Sequence, residues 1–162
     1  MDKCLILTIE LIGVAMNDEN NNNSKVAVYL GYCGLAPFVL SLLVVNFTVD
    51  FQDTSIRGFI LYSAIIISFM SGIHWGMALL RNQGCRIRFM ISIVPPILAW
   101  AAVLSLPLPF LIGALGLVHL AELKIDRVLF SYPEIQTWYF RMRFRLTSLV
   151  VMLHFVMIFS VI

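Results

Sequence analysis

Charge is what this chain has least of: only 12% of its 162 residues are Asp, Glu, Lys or Arg. A soluble domain carries about 25% charged residues and has the polar surface to face water all round. Cysteine is also scarce. Cys4, Cys33 and Cys85 are widely separated and form no CxxC or CxxCH pattern, so neither a metal cluster nor covalent haem has sequence support. There is no GxxxxGK[ST] loop, no HExxH helix and no paired-carboxylate motif. These absences leave chemistry carried out wholly inside apolar segments as the one enzymatic reading. A net charge of +2 gives no basis for nucleic-acid binding. What is abundant is apolar: 60% hydrophobic residues, with a mean hydropathy of +0.93. The composition is that of an all-α integral membrane protein.

Apolar runs predict about five transmembrane helices, near 26–49, 59–80, 89–106, 108–123 and 146–162. Residues 25–162 then form one transmembrane domain, preceded by an extension over 1–24. That extension holds a short apolar run broken by Glu10, followed by the spacer Asn20-Asn21-Asn22-Asn23. An interfacial helix, a signal peptide and a natural start at Met16 are the readings open for it. Ten of the eleven Lys and Arg residues fall on one side of these spans, leaving Arg57 alone on the other. The positive-inside rule then puts the N-terminus in the cytoplasm and the C-terminus outside. It also speaks against a cleaved signal peptide.

Within the spans, four groups of residues break the apolar pattern. Ala64, Ser68, Gly72 and Gly76 recur every fourth residue, a smooth stripe suited to close helix packing in lipid. Packing inside the bundle, against Gly31 and Gly34 or Gly113 and Gly116, is the first expectation; a homodimer seam is the second. Pro37, Pro95 and Pro96 predict kinks that free the carbonyls of Cys33, Ile91 and Ser92. Trp138 and Tyr139 beside Arg141, Arg143 and Arg145 suit an interfacial anchor on headgroups and anionic lipid.

The fourth group is ionisable. His74, His119 and His154 all lie in spans, and His119, Glu122 and Asp126 share one helix face at i, i+3, i+7. Such groups are costly in a bilayer and are functional candidates. They are suited to ligating a metal or haem iron, to relaying protons, or to bonding one another. His74, about 9 Å inside the membrane, must face protein. It lies about 200° around the helix from Gly72, so the second span is expected to be buried on two sides. Its leading expected partners are Glu122, His119 or a proline-freed carbonyl. His154 is expected to make a polar contact within the bundle.

The run Tyr29-Leu30-Gly31-Tyr32-Cys33-Gly34-Leu35-Ala36-Pro37-Phe38 resembles the opening of a bacterial membrane family known as domain of unknown function 3429. Gly72-Ile73-His74-Trp75-Gly76, Pro95-Pro96 with Trp100, and Asp126 with Trp138-Tyr139 and the alternating arginines resemble its later motifs. The similarity covers about residues 25–162 and includes a mitochondrial transmembrane relative. It implies a multi-pass inner-membrane protein and assigns no catalytic residue. A small helical scaffold or assembly partner is the leading functional expectation. Its partners are the lipid bilayer and a second copy or another membrane protein. A transporter or channel subunit and a haem or quinone site on His74 and His119 are the alternatives. No other cofactor, and no metal, is expected.

Overall fold

The computed structural model describes residues 25–79, 85–129 and 137–162, and these are almost entirely helical. The expectations for residues 1–24, and the place of Arg81 among the ten basic residues of one side, lie outside the described residues. The chain divides into two compact units, Met1–Gly34 and Leu35–Ile162. In the first, residues 25–33 are helical and the Gly34 amide closes the last turn on the Leu30 carbonyl at 3.0 Å. The second is a bundle of α1 (Ala36–Phe47), α2 (Gln52–Leu79), α3 (Cys85–Ser105), α4 (Leu108–Leu129) and α5 (Thr137–Val161).

Five stretches are long and apolar enough to cross a membrane: Lys25–Phe47, Gln52–Leu79, Arg86–Ser105, Leu108–Arg127 and Trp138–Val161. Large apolar side chains such as Leu61, Phe69, Trp100, Leu117, Phe155 and Phe159 face outward. With lipid as the solvent, this surface has no reason to be polar. The protein is a multi-pass, all-α membrane protein.

Short polar connections hold the turns. Thr48 ends α1 by donating both its amide and its hydroxyl to the Val44 carbonyl, at 2.9 and 2.7 Å. Gln52 Nε2 then reaches back to the Val45 carbonyl at 3.0 Å, tying α2 to α1. Asn46 Nδ2 donates to Ser160 Oγ at 3.1 Å, which joins α1 to the end of α5. Pro107 separates α3 from α4, and its carbonyl accepts the Leu111 amide at 2.9 Å. In the core, α2 packs on α1, α3 and α4, while α5 packs on α1 and α4. Phe38 sits at the centre of one end, with Phe59 and Tyr62 edge-on at 5.0 and 4.9 Å.

The structure differs from the hydropathy reading where helices carry charge. Helix α4 continues six residues past the expected end at 123, through Asp126, and α5 begins nine residues before the expected start at 146. A hydropathy scan stops at the first charges. Here Asp126 and Arg143 pair inside the bundle while Lys124, Arg127, Arg141 and Arg145 stay exposed, so the helices continue. Much of the segment expected as a loop over 124–145 is therefore helix.

The prolines occupy two different settings. Residues 34 and 35 form a turn, and Pro37 lies in the first turn of α1. There a missing amide is no loss, because the first helical amides have no intrahelical acceptor. Pro95 and Pro96 lie inside α3, which runs from Cys85 to Ser105. Ser92 turns its hydroxyl to the Phe89 carbonyl at 2.8 Å in the turn preceding them.

Candidate functional site: a buried polar ladder

Three helices each present polar side chains at helical spacing to one shared interior. On α2 the buried face runs Ser63, Ile67, Met70, Ser71, His74, Ala78. On α4 it is Leu115, His119, Glu122 and Asp126, and on α5 it is Arg143, Thr147, Val150, His154 and Met157. These spacings of three and four residues keep each set on a single helix face. Their side chains meet in three rungs.

The first rung is an ion pair with a second donor. Asp126 is fully buried; its Oδ2 accepts Arg143 Nε at 2.7 Å and its Oδ1 accepts His74 Nε2 at 2.7 Å. Both carboxylate oxygens are thus engaged by charge-capable donors from two other helices. Arg143 alone among the three arginines is buried, at 8% exposure, whereas Arg141 and Arg145 are exposed. Two residues along a helix is a 200° turn, so alternate arginines point in opposite directions. Trp138 and Tyr139 are half-buried. Arg143 therefore departs from the interfacial anchor expected of it: it turns inward to Asp126.

The second rung joins α2 to α4. Ser71 Oγ donates to Glu122 Oε1 at 3.0 Å. Glu122 is fully buried, and among the described residues its Oε2 has no hydrogen-bond partner.

The third rung is built on Ser63, which lies 3.1 Å from His119 Nε2 and 2.8 Å from His154 Nε2. His154 Nδ1 is 2.8 Å from the Val150 carbonyl, which only accepts, so Nδ1 carries the hydrogen. In a neutral ring Nε2 is then the acceptor, and Ser63 donates its one hydroxyl hydrogen to it. His119 Nε2–H must then donate to Ser63 Oγ. The order His119 to Ser63 to His154 is a directed chain of hydrogen bonds. Replacing Ser63 with Ala breaks both links, and we expect a loss of about 0.6–2 kcal/mol of stability, the range found for hydrogen bonds between membrane helices. Reversible unfolding in mixed micelles checks this.

His74 and His119 occupy different rungs. His74 pairs with Asp126, and His119 pairs with Ser63, eleven residues from His74 along α2. The structure does not assemble them as a ligand pair, and no group of three or more His, Cys, Asp or Glu is placed to hold a metal among the described residues. His74 bonds a group on the fourth helix, and that group is Asp126, which α4 extends far enough to carry inside. Ser63 and Ser71 escaped sequence reasoning. Serine is common in membrane helices, and the available signal was only that Ser63, Ser71 and His74 lie on one helix face.

The small-residue stripe of α2 does not pack as expected. Ser68 and Gly72 are exposed, Ala64 and Gly76 are half-buried, and a Cβ on Gly72 or Gly76 would meet nothing within 4 Å among the described residues. The buried face of α2 is the His74 face alone, so burial on two sides is not observed. Close approach to a small residue occurs instead on α4. A Cβ on Gly116 would stand 3.4 Å from His154 Cβ, and one on Gly113 would stand 3.7 Å from Ile158 Cδ1. Those glycines serve α5, not the stripe.

Comparison with known proteins places this bundle in a family. The chain is 39% identical over 83 residues to Transmembrane protein 69 of Xenopus tropicalis, covering 49% of this chain and 33% of that protein. It thus spans about a third of the length of that curated relative. No solved structure matches. A family model described as "Protein of unknown function (DUF3429)" matches residues 23–159, a span that contains every rung of the ladder. The chain belongs to the DUF3429 family.

Proposed function

We propose that this chain is a small scaffold of an inner membrane, docking a helix of a second membrane protein, or of a second copy, on the outer face of α2. The observation that carries this reading is the placement of Ser68, Gly72 and Gly76. Small residues at fourfold spacing leave the backbone open to close approach. Here the chain's own described helices leave that surface open. The stability of the bundle is supplied on the opposite face of α2, by the rungs at Ser63, Ser71 and His74. One helix then serves two purposes, a fixed inner face and a docking outer face.

Arg86, Arg88, Lys124, Arg127, Arg141 and Arg145 gather at one end of the bundle and Arg57 lies towards the other, which under the positive-inside rule puts the arginine-rich end in the cytoplasm or its organellar equivalent. The printed name of the frog relative, a transmembrane protein, agrees with a membrane role and adds nothing finer.

The test is native mass measurement of the full chain, extracted with its membrane lipids in a mild detergent. Wild type is expected as a complex, and Gly72→Leu with Gly76→Leu as a monomer with unchanged unfolding stability. A wild-type monomer at every expression level would overturn the proposal. So would a double variant that loses stability while its complex persists.

A further inference from the structure

Independently of the docking reading, we propose that Glu122 is a reversible proton-binding site, midway along a buried track that opens only toward the arginine-rich end of the bundle.

Three observations carry this. The first is Glu122 itself, fully buried, with Oε1 held by Ser71 and Oε2 without a partner among the described residues. Among the described residues no cation is hydrogen-bonded to Glu122, and Arg143 Nε bonds Asp126. A carboxyl group buried with no cation bonded to it is held in place by taking up a proton. The unpartnered oxygen is where that proton resides.

The second is the arrangement of polar groups on either side. His119 lies one turn away on α4 in one direction and Asp126 one turn in the other, a stretch of about 10 Å along the axis. The titratable and charged groups around Glu122 are His119 and Asp126 on its own helix, His74 on α2, and Tyr139, Arg143 and His154 on α5. Helix α1 carries none, and the arginines of α3, Arg86 and Arg88, stand at its outer end. The third rung is a donor–acceptor chain from His119 through Ser63 to His154, with Nδ1 of His154 held protonated by the Val150 carbonyl.

The third is that the track has one closed end. Beyond His154 stand Phe59 and Phe38, with ring centroids 4.8 and 5.5 Å from the imidazole and 5.0 Å from each other. All three rings are buried. At the other end Asp126 pairs with Arg143, at 8% the most exposed of the rung residues. Protons therefore enter and leave from the arginine-rich side, and the track crosses only part of the membrane.

The test uses the full chain in lipid vesicles and the apolar reagent dicyclohexylcarbodiimide, which reacts with protonated carboxyl groups inside membranes. The carboxyl proton passes to one reagent nitrogen as the carboxyl oxygen bonds the central carbon. The acyl group then migrates to nitrogen, so the whole reagent is added and nothing leaves. We expect the adduct on the peptide containing Glu122, falling as pH rises, kept in Ser71→Ala and lost in Glu122→Gln. In vesicles with the chain inserted one way, only pH on the arginine-rich side is expected to change the labelling. Infrared difference spectra of the wild type between low and high pH provide a second readout, the carbonyl stretch of a protonated carboxyl, which does not depend on the Gln variant folding. The proposal is overturned if the folded wild type shows no adduct at Glu122, or if labelling is independent of pH. It is also overturned if sodium ions protect Glu122 at constant pH, which would make it a metal-cation site, or if both sides control it equally.

Discussion

Asp126→Ala is expected to remove about 3–5 kcal/mol of stability, the cost of leaving a buried charge without its partner. The substitution strands two donors at once. Arg143 is held at 8% exposure by one carboxylate oxygen, and His74, fully buried, is held by the other. His74→Leu should cost less, about 1–3 kcal/mol, since the ion pair survives and only one acceptor bond is lost. Unfolding by denaturant in mixed micelles, compared across the two variants, checks both the size and the order. An Asp126→Ala protein as stable as wild type would mean that Arg143 escapes to the headgroups at no cost.

Gly116→Leu is expected to follow, at about 1–3 kcal/mol or more from overpacking. Of the two α4 glycines, Gly116 has the closer neighbour on α5. A Cβ there would stand 3.4 Å from His154 Cβ and 3.7 Å from its Cγ, before any further side-chain atoms are added. Both neighbours belong to a ring whose two nitrogens are fixed by Ser63 and the Val150 carbonyl, so the ring has little room to move. The change should therefore disturb the third rung as well as the packing, and histidine NMR signals of His119 and His154 should shift with the loss of stability. The same substitution at Gly72 is expected to leave both unchanged, because nothing lies within 4 Å of its Cβ position among the described residues.

The membrane class and the number of spans follow from hydropathy alone, because lipid demands long apolar helices and admits little else. The face shared by His119, Glu122 and Asp126 was legible for a similar reason: helical spacing is a property of the chain itself. Partnership was not legible. Whether His74 meets Glu122 or Asp126 depends on the axial offset between α2 and α4, and one helical turn of offset changes the answer. The extent of α4 and α5 was misread for a related cause. Charges that neutralise each other across helices look, in one dimension, like the edge of a membrane. Arg143 is the clearest case, since it reads as part of a basic anchor with Arg141 and Arg145 until the 200° between neighbours in that series is taken into account. The outward placement of Gly72 and Gly76 was equally hidden: small residues mark a surface for close packing without saying which helix will occupy it.

The polar ladder is the feature on which both the stability and the proton-site arguments stand, and its base is the contact between Arg143 and Asp126. A double-mutant cycle on these two residues tests it most directly, using Asp126→Ala, Arg143→Met and the pair together in the full chain. The structure predicts that the double variant is more stable than Asp126→Ala alone, with a coupling of about 1–3 kcal/mol, as for residues in one buried network. Effects that simply add, with no coupling, would contradict a bundle held together through these side chains.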